Sequence, residues 1–122
     1  MYKVANFREL HVWQRGMDLV VSVYRASCRF PKAEMFGLTA QVRRSVVSVP
    51  SNIAEGHTRE STKEYLNHIS MAQASLAEVE TQVEIAGRLE YLNSDEVAAL
   101  TAQSTILRKQ LFALRNALVK KS

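Results

Sequence analysis

The residues that could do chemistry are few. The chain has three histidines, His11, His57 and His68, and one cysteine, Cys28. A di-iron bundle needs Glu-x-x-His pairs on facing helices, and no such pair occurs. Some helical ribonucleases carry an arginine followed four to six residues later by a histidine; here Arg59 and His68 stand nine apart. No glycine-rich phosphate loop exists, and the chain has only four glycines. These features point away from an enzyme, a metal centre and a cofactor. What remains is cationic. Arg43, Arg44 and Arg59 carry forked donors suited to phosphate, and His57 and Lys63 lie near Arg59 to form a basic end. The same arginines could instead pair with Glu34, Glu55 or a carboxylate of the third helix, and spacing leaves both readings open.

These residues must be positioned by helices. The sequence has 122 residues, 47% hydrophobic and 23% charged, and only two prolines. No stretch alternates apolar with polar over strand length, so the expectation is all-α. The first helix is expected over Glu9 to Phe30, with Leu10, Trp13, Met17, Val21, Tyr24 and Cys28 as its core stripe, which makes Cys28 a small buried hydrophobe. Pro31 ends it. The second starts near Ala33 to Phe36 and buries Leu38, Val42, Val46, Val49 and Ile53. It is expected to kink at Pro50 without losing register and to end on Gly56 as its cap; the competing reading breaks it near Val47 and restarts it at Pro50.

Ser61 and Glu64 have capping-box spacing at the start of the third helix, whose core face is Tyr65, Ile69, Ala72, Leu76, Val79 and Val83. Ser94 is the expected cap of the fourth, with Asp95 and Glu96 in its first turn and a stripe of Val97, Leu100, Leu107, Leu111, Leu114 and Leu118. Four such helices on short turns predict one antiparallel up-down-up-down four-helix-bundle domain over residues 1–122. With one cysteine, no cleavable signal and no long apolar span, the expected setting is the reduced cytoplasm.

Two helices carry more apolar surface than a bundle needs. Val12, Leu19, Val23, Ala26 and Phe30 form a second stripe on the first helix, opposite the Leu10 to Cys28 stripe. Ala40, Val47 and Ala54 form a small-residue face on the second. The third and fourth are polar there, with Asn67, Glu78, Thr81, Gln82, Thr105, Lys109 and Asn116. Five positions in helical register point to self-association through the first two helices, against the plainer reading of scattered surface hydrophobics.

The stretches "HVWQRGMDLVVSVY", "FPKAEMFGLTAQVRRSVVSVPSNIAEGHTR" and "ISMAQASLAEVETQVEIAGRLEYL" resemble the four-helix-bundle proteins encoded in intervening sequences of bacterial 23S ribosomal RNA genes. The resemblance spans about Phe7 to Leu118. Its most specific part is Gln41, Arg43, Arg44, Ser48, Pro50, Asn52, Ile53, Ala54, Glu55, Gly56 and Arg59. It implies a bundle that assembles into a homopentameric ring, with relatives that serve as accessory subunits of reverse transcriptases in diversity-generating retroelements and bind nucleic acid. Two departures stand out. The family usually has glycine where Thr58 sits, and phenylalanine where His68 sits on the core side of the third helix, so His68 is expected to be partly exposed or hydrogen-bonded.

Net charge is +4, and five copies would sum to about +20, enough for salt-dependent attraction to RNA or DNA. The alternative is a scaffold for a protein partner with no nucleic-acid contact, using Phe112 and Val119 of the fourth helix. The charge is unevenly placed. Residues 1–32 hold six basic and two acidic side chains, 33–59 three and two, 60–92 two and six, and 93–122 five and two, so neighbouring helices are expected to complement one another.

Overall fold

A computed structural model describes residues 6–121. Four helices occupy most of that span: α1 His11–Ser27, α2 Leu38–Thr58, α3 Thr62–Arg88 and α4 Ser94–Lys121. Single 3-10 turns precede α1 (Phe7–Glu9) and α2 (Lys32–Glu34), and no strand occurs among the described residues. Each helix packs on its sequence neighbours, α4 closes on α1, and α2 against α3 is the most extensive contact. This is the up-down-up-down bundle. Its core includes Leu19, Ile53, Ile69, Leu76, Leu107 and Leu111, all essentially inaccessible to solvent.

The core stripes of α2, α3 and α4 fall where the spacing placed them. That of α1 does so only at its start, where Leu10 and Trp13 pack against the core. Val12, Leu19 and Val23 are buried, and Ala26 and Phe30 pack against the core. These five were the expected subunit-facing stripe. Met17, Val21 and Tyr24, expected inside, are 39%, 45% and 40% exposed, and Cys28 is exposed as well. Both stripes are apolar, so hydropathy alone cannot choose between them. Gly16 decides: it lies on the Val12–Val23 side, and a Cβ there would sit 3.3 Å from the Pro50 Cβ. Only a side that starts small lets α1 come that close to α2.

Element ends also shift for local reasons. α1 ends at Ser27 rather than Phe30, the Phe30 N–H bonding back to the Ser27 carbonyl. α2 starts at Leu38, because the Glu34 carboxylate accepts from the Leu38 N–H at 3.0 Å and spends residues 32–37 on a separate turn. Pro50 lies inside an unbroken α2. Gly56 is not a cap; it is buried mid-turn, and the helix ends only at the extended Arg59. The Ser61 hydroxyl accepts from the Glu64 N–H at 3.1 Å, as expected. α4 is capped one residue early: Asn93 Oδ1 accepts from the Glu96 N–H, while Glu96 Oε1 accepts from the Asn93 N–H, a reciprocal box. Between α3 and α4, Glu90 adopts φ 64°, and the Tyr91 and Glu90 N–H groups return to the Ala86 and Gly87 carbonyls, a Schellman ending.

Gly56 lets α2 approach α3. A Cβ there would lie 2.7 Å from the His68 Cβ and 3.3 Å from the Tyr65 carbonyl oxygen. Gly56→Ala therefore lowers stability by about 1–3 kcal/mol, outweighing the ~1 kcal/mol that alanine gains in helix propensity. Urea denaturation checks it, and an unchanged or higher midpoint contradicts the close-approach role.

Candidate functional site

The signature on α2 is largely occupied in holding helices together. Arg43 is half-buried and reaches α1: its Nε donates to the Ser27 hydroxyl at 2.8 Å and its Nη2 to the Tyr24 carbonyl at 3.3 Å. Its guanidinium carbon also stands 4.7 Å from the centre of the Tyr24 ring. Last-turn carbonyls of a helix lack intrahelical donors, and a cation suits that end of the dipole. Within the molecule Arg43 meets a hydroxyl, a carbonyl and a ring rather than the expected carboxylate, and it closes the C-terminus of α1.

On the other flank, a polar ladder joins α2 to α3. The Ser48 and Ser75 hydroxyls are 2.9 Å apart, Asn52 Nδ2 donates to the Ser48 carbonyl and hydroxyl, and Asn52 Oδ1 lies 3.1 Å from His68 Nδ1. An amide oxygen only accepts, so His68 carries its proton on Nδ1. The hydrogen-bonded reading of this position holds. Thr58, the other departure, stays helical and donates its hydroxyl to the Ala54 carbonyl at 2.8 Å.

The five cationic candidates do not converge. His57 is buried, edge-on to Tyr65 with ring centres 5.9 Å apart, because α2 continues past Gly56 and turns the imidazole inward. It cannot reach a polyanion. Burial in the same place pushes the Tyr65 hydroxyl up to about 12. Arg59 and Lys63 are exposed, but Glu55, Glu60 and Glu64 share the groove beside Arg59, and Arg59 lies 4.0 Å from Glu64. That end is not basic. Arg44 lies fifteen residues before Arg59, which follows the last turn of α2, or about 22 Å along the axis, in a groove with Glu78 and Gln82.

What the bundle leaves open is apolar. Tyr24 lies under the Arg43 side chain, so it marks the α2 side of α1; Val21 and Met17 precede it by three and seven residues, on the same stripe. Arg43 and Pro50 mark the α1 side of α2, and Ala40, Val47 and Ala54 follow or precede them by three or four. Val47 is 40% exposed. The small-residue face of α2 and the displaced stripe of α1 therefore flank one groove. Two apolar stripes on α1 were visible in the sequence; the missed signal for which one faces outward was Gly16.

Among the described residues no three His, Cys, Asp or Glu side chains are grouped as metal ligands are, and no helix is long and apolar enough to cross a membrane. The molecule is a closed antiparallel four-helix bundle whose signature serves interhelix contacts. The family model of the 23S rRNA-intervening sequence protein matches residues 8–113, and the chain belongs to that family. Its fold is similar to the crystal structure of a protein with unknown function from the S23 ribosomal protein family of Bacteroides thetaiotaomicron: 22% identity, TM-score 0.77, covering 85% of this chain and 97% of the other. No curated protein sequence matches it.

Arg43→Ala removes two charge-assisted donors from α1 and leaves the Ser27 hydroxyl only its own bond to the Tyr24 carbonyl at 3.2 Å, so a loss of about 1–3 kcal/mol is expected. Arg43→Lys restores less than half, because a point charge cannot serve Ser27, Tyr24 and the ring together. Thermal denaturation with amide exchange at residues 24–28 tests this; full rescue by lysine contradicts it.

Proposed function

We propose that the protein is a non-enzymatic homo-oligomeric bundle, five-membered as the family resemblance implies, assembled through the groove that α1 and α2 present to solvent. The observation that carries this reading is the stripe of Met17, Val21 and Tyr24 beside Val47, left 39–45% exposed after the core is complete. Contiguous apolar patches of this kind mark interaction sites on soluble proteins. The reading keeps the first two helices as the self-association surface and exchanges one stripe of α1 for the other. Assembly is favoured over nucleic-acid binding as the primary role because Arg43 and His57 are committed inside the bundle and Arg59 sits among carboxylates. Sedimentation velocity at micromolar concentration is the test. The wild type is expected to run as one oligomer, and Val21→Glu with Val47→Glu as a folded monomer of unchanged helicity. A monomeric wild type sinks the proposal.

A second reading rests on charge. α1 and α4 are adjacent and antiparallel, so Arg15 near the start of one falls at the same end as Arg115, Lys120 and Lys121 near the finish of the other. A ring would repeat this end around its axis, and contact there with RNA or DNA would follow backbone charge. In a gel-shift assay with structured RNA and duplex DNA at low salt, replacing these four by alanine abolishes binding, whereas Arg44→Ala, Arg59→Ala and Lys63→Ala together leave it within twofold. No shift by the wild type ends this reading.

A further inference from the structure

The most exposed large hydrophobic residue is Phe36, 93% exposed, with Met35 beside it at 56%. They do not sit on a loose loop. Glu34 Oε1 accepts from the Leu38 N–H at 3.0 Å, and its Oε2 accepts from the Tyr91 hydroxyl at 2.9 Å. These two donors, the backbone one first, hold the Glu34 carboxyl below the usual range. Phe30 packs on the Tyr91 ring, centres 5.6 Å apart, from the other side. The segment between α1 and α2 is thus fastened both to the start of α2 and to the α3–α4 turn, and it projects an aromatic ring into water from a fixed base.

The same end of the molecule carries a concave counterpart. Between the last turns of α3 and the first turns of α4 lies a groove of about 670 Å³ whose walls are mostly small and apolar, including Gly87, Leu92, Val97, Ala98 and Ala102. Gly87 opens it, since a Cβ there would stand 2.8 Å from a Val97 methyl. A comparable groove between α1 and α4 is bridged by the Arg29–Glu96 ion pair, which makes it the poorer socket for a phenyl ring.

We infer that Phe36 and Met35 of one copy dock into the α3–α4 groove of the next copy, an inference that rests on the self-association proposed above. Three observations select a second copy as the occupant. A cyclic assembly larger than a dimer needs two unlike patches on each protomer, and the knob and the groove are such a pair. Both lie at the end of the bundle where the two connections meet, so they are level when bundles stand side by side around an axis. Their surroundings are opposite in net sign: Arg25, Arg29 and Lys32 outnumber Glu34 ahead of the knob, while Glu84 in the groove, with Glu90 and Asp95 on the adjoining turn, outnumbers the one basic lining residue, Arg88. α1 and α3 are diagonal in the bundle; apart from Arg29, which pairs with Glu96 within the molecule, the cations ahead of the knob meet the carboxylates of the α3 side across a boundary between molecules.

Sedimentation equilibrium of Phe36→Ala and of Ala98→Arg is expected to show association weakened about tenfold or more, the contribution of one well-buried aromatic. Both positions are exposed, so both variants fold. In a Cys28→Ser background, mixing a Phe36→Cys chain with an Ala98→Cys chain under mild oxidant gives a disulfide-linked pair of the two. Each alone gives far less. A monomeric wild type overturns the inference together with the reading it rests on. An oligomeric wild type whose association neither substitution weakens, and whose mixed cysteine chains do not cross-link, overturns the knob and groove alone.

Discussion

The backbone of α2 runs closer to both its neighbours than side chains normally permit, and the rest of the bundle is arranged around that. Gly16 of α1 meets Pro50, and Gly56 meets the Tyr65–His68 turn of α3. A proline inside a helix forfeits one ladder hydrogen bond and usually costs about 3 kcal/mol. Here its ring fills the space that Gly16 vacates, so the residue that weakens the helix also seats α1. With α2 tight on both sides, α4 has only to close the square, which it does with a plain leucine stripe and the Arg108–Glu80 and Arg29–Glu96 pairs.

Polar side chains complete what close packing begins. Arg43 bonds α1 at its C-terminus, and Ser48, Asn52, Ser75 and His68 lace α2 to α3. Buried or half-buried polar groups of this kind specify register, because a slip of one turn leaves each without a partner. The α2 residues that carry the family resemblance include those that grip both neighbours: Arg43 and Pro50 toward α1, Ser48, Asn52 and Gly56 toward α3.

The charge pattern acquires a different meaning once the helices are placed. Complementarity between neighbours holds for α3 with α4, through Glu80 and Arg108. For the basic first segment it is limited to the Arg29–Glu96 pair, since its neighbours α2 and α4 are themselves net positive while the acidic α3 lies across the bundle. One side of each molecule is left basic and another acidic. That polarity suits head-to-tail contact better than internal pairing.

Much of this was legible in the sequence. Helix number, the core faces of α2, α3 and α4, the Ser61 cap and the persistence of α2 through Pro50 follow from period 3.6 and from cap chemistry, which act within a few residues. The starts of α2 and α4 differ from the spacing by a few residues because Glu34 and Glu96 take backbone donors through side chains that local rules do not track. The face of α1, the burial of His57 and the destination of Arg43 depend on which helix lies alongside. Two equally apolar stripes have the same transfer free energy until a neighbour occupies one side, so only packing against Pro50 could choose between them.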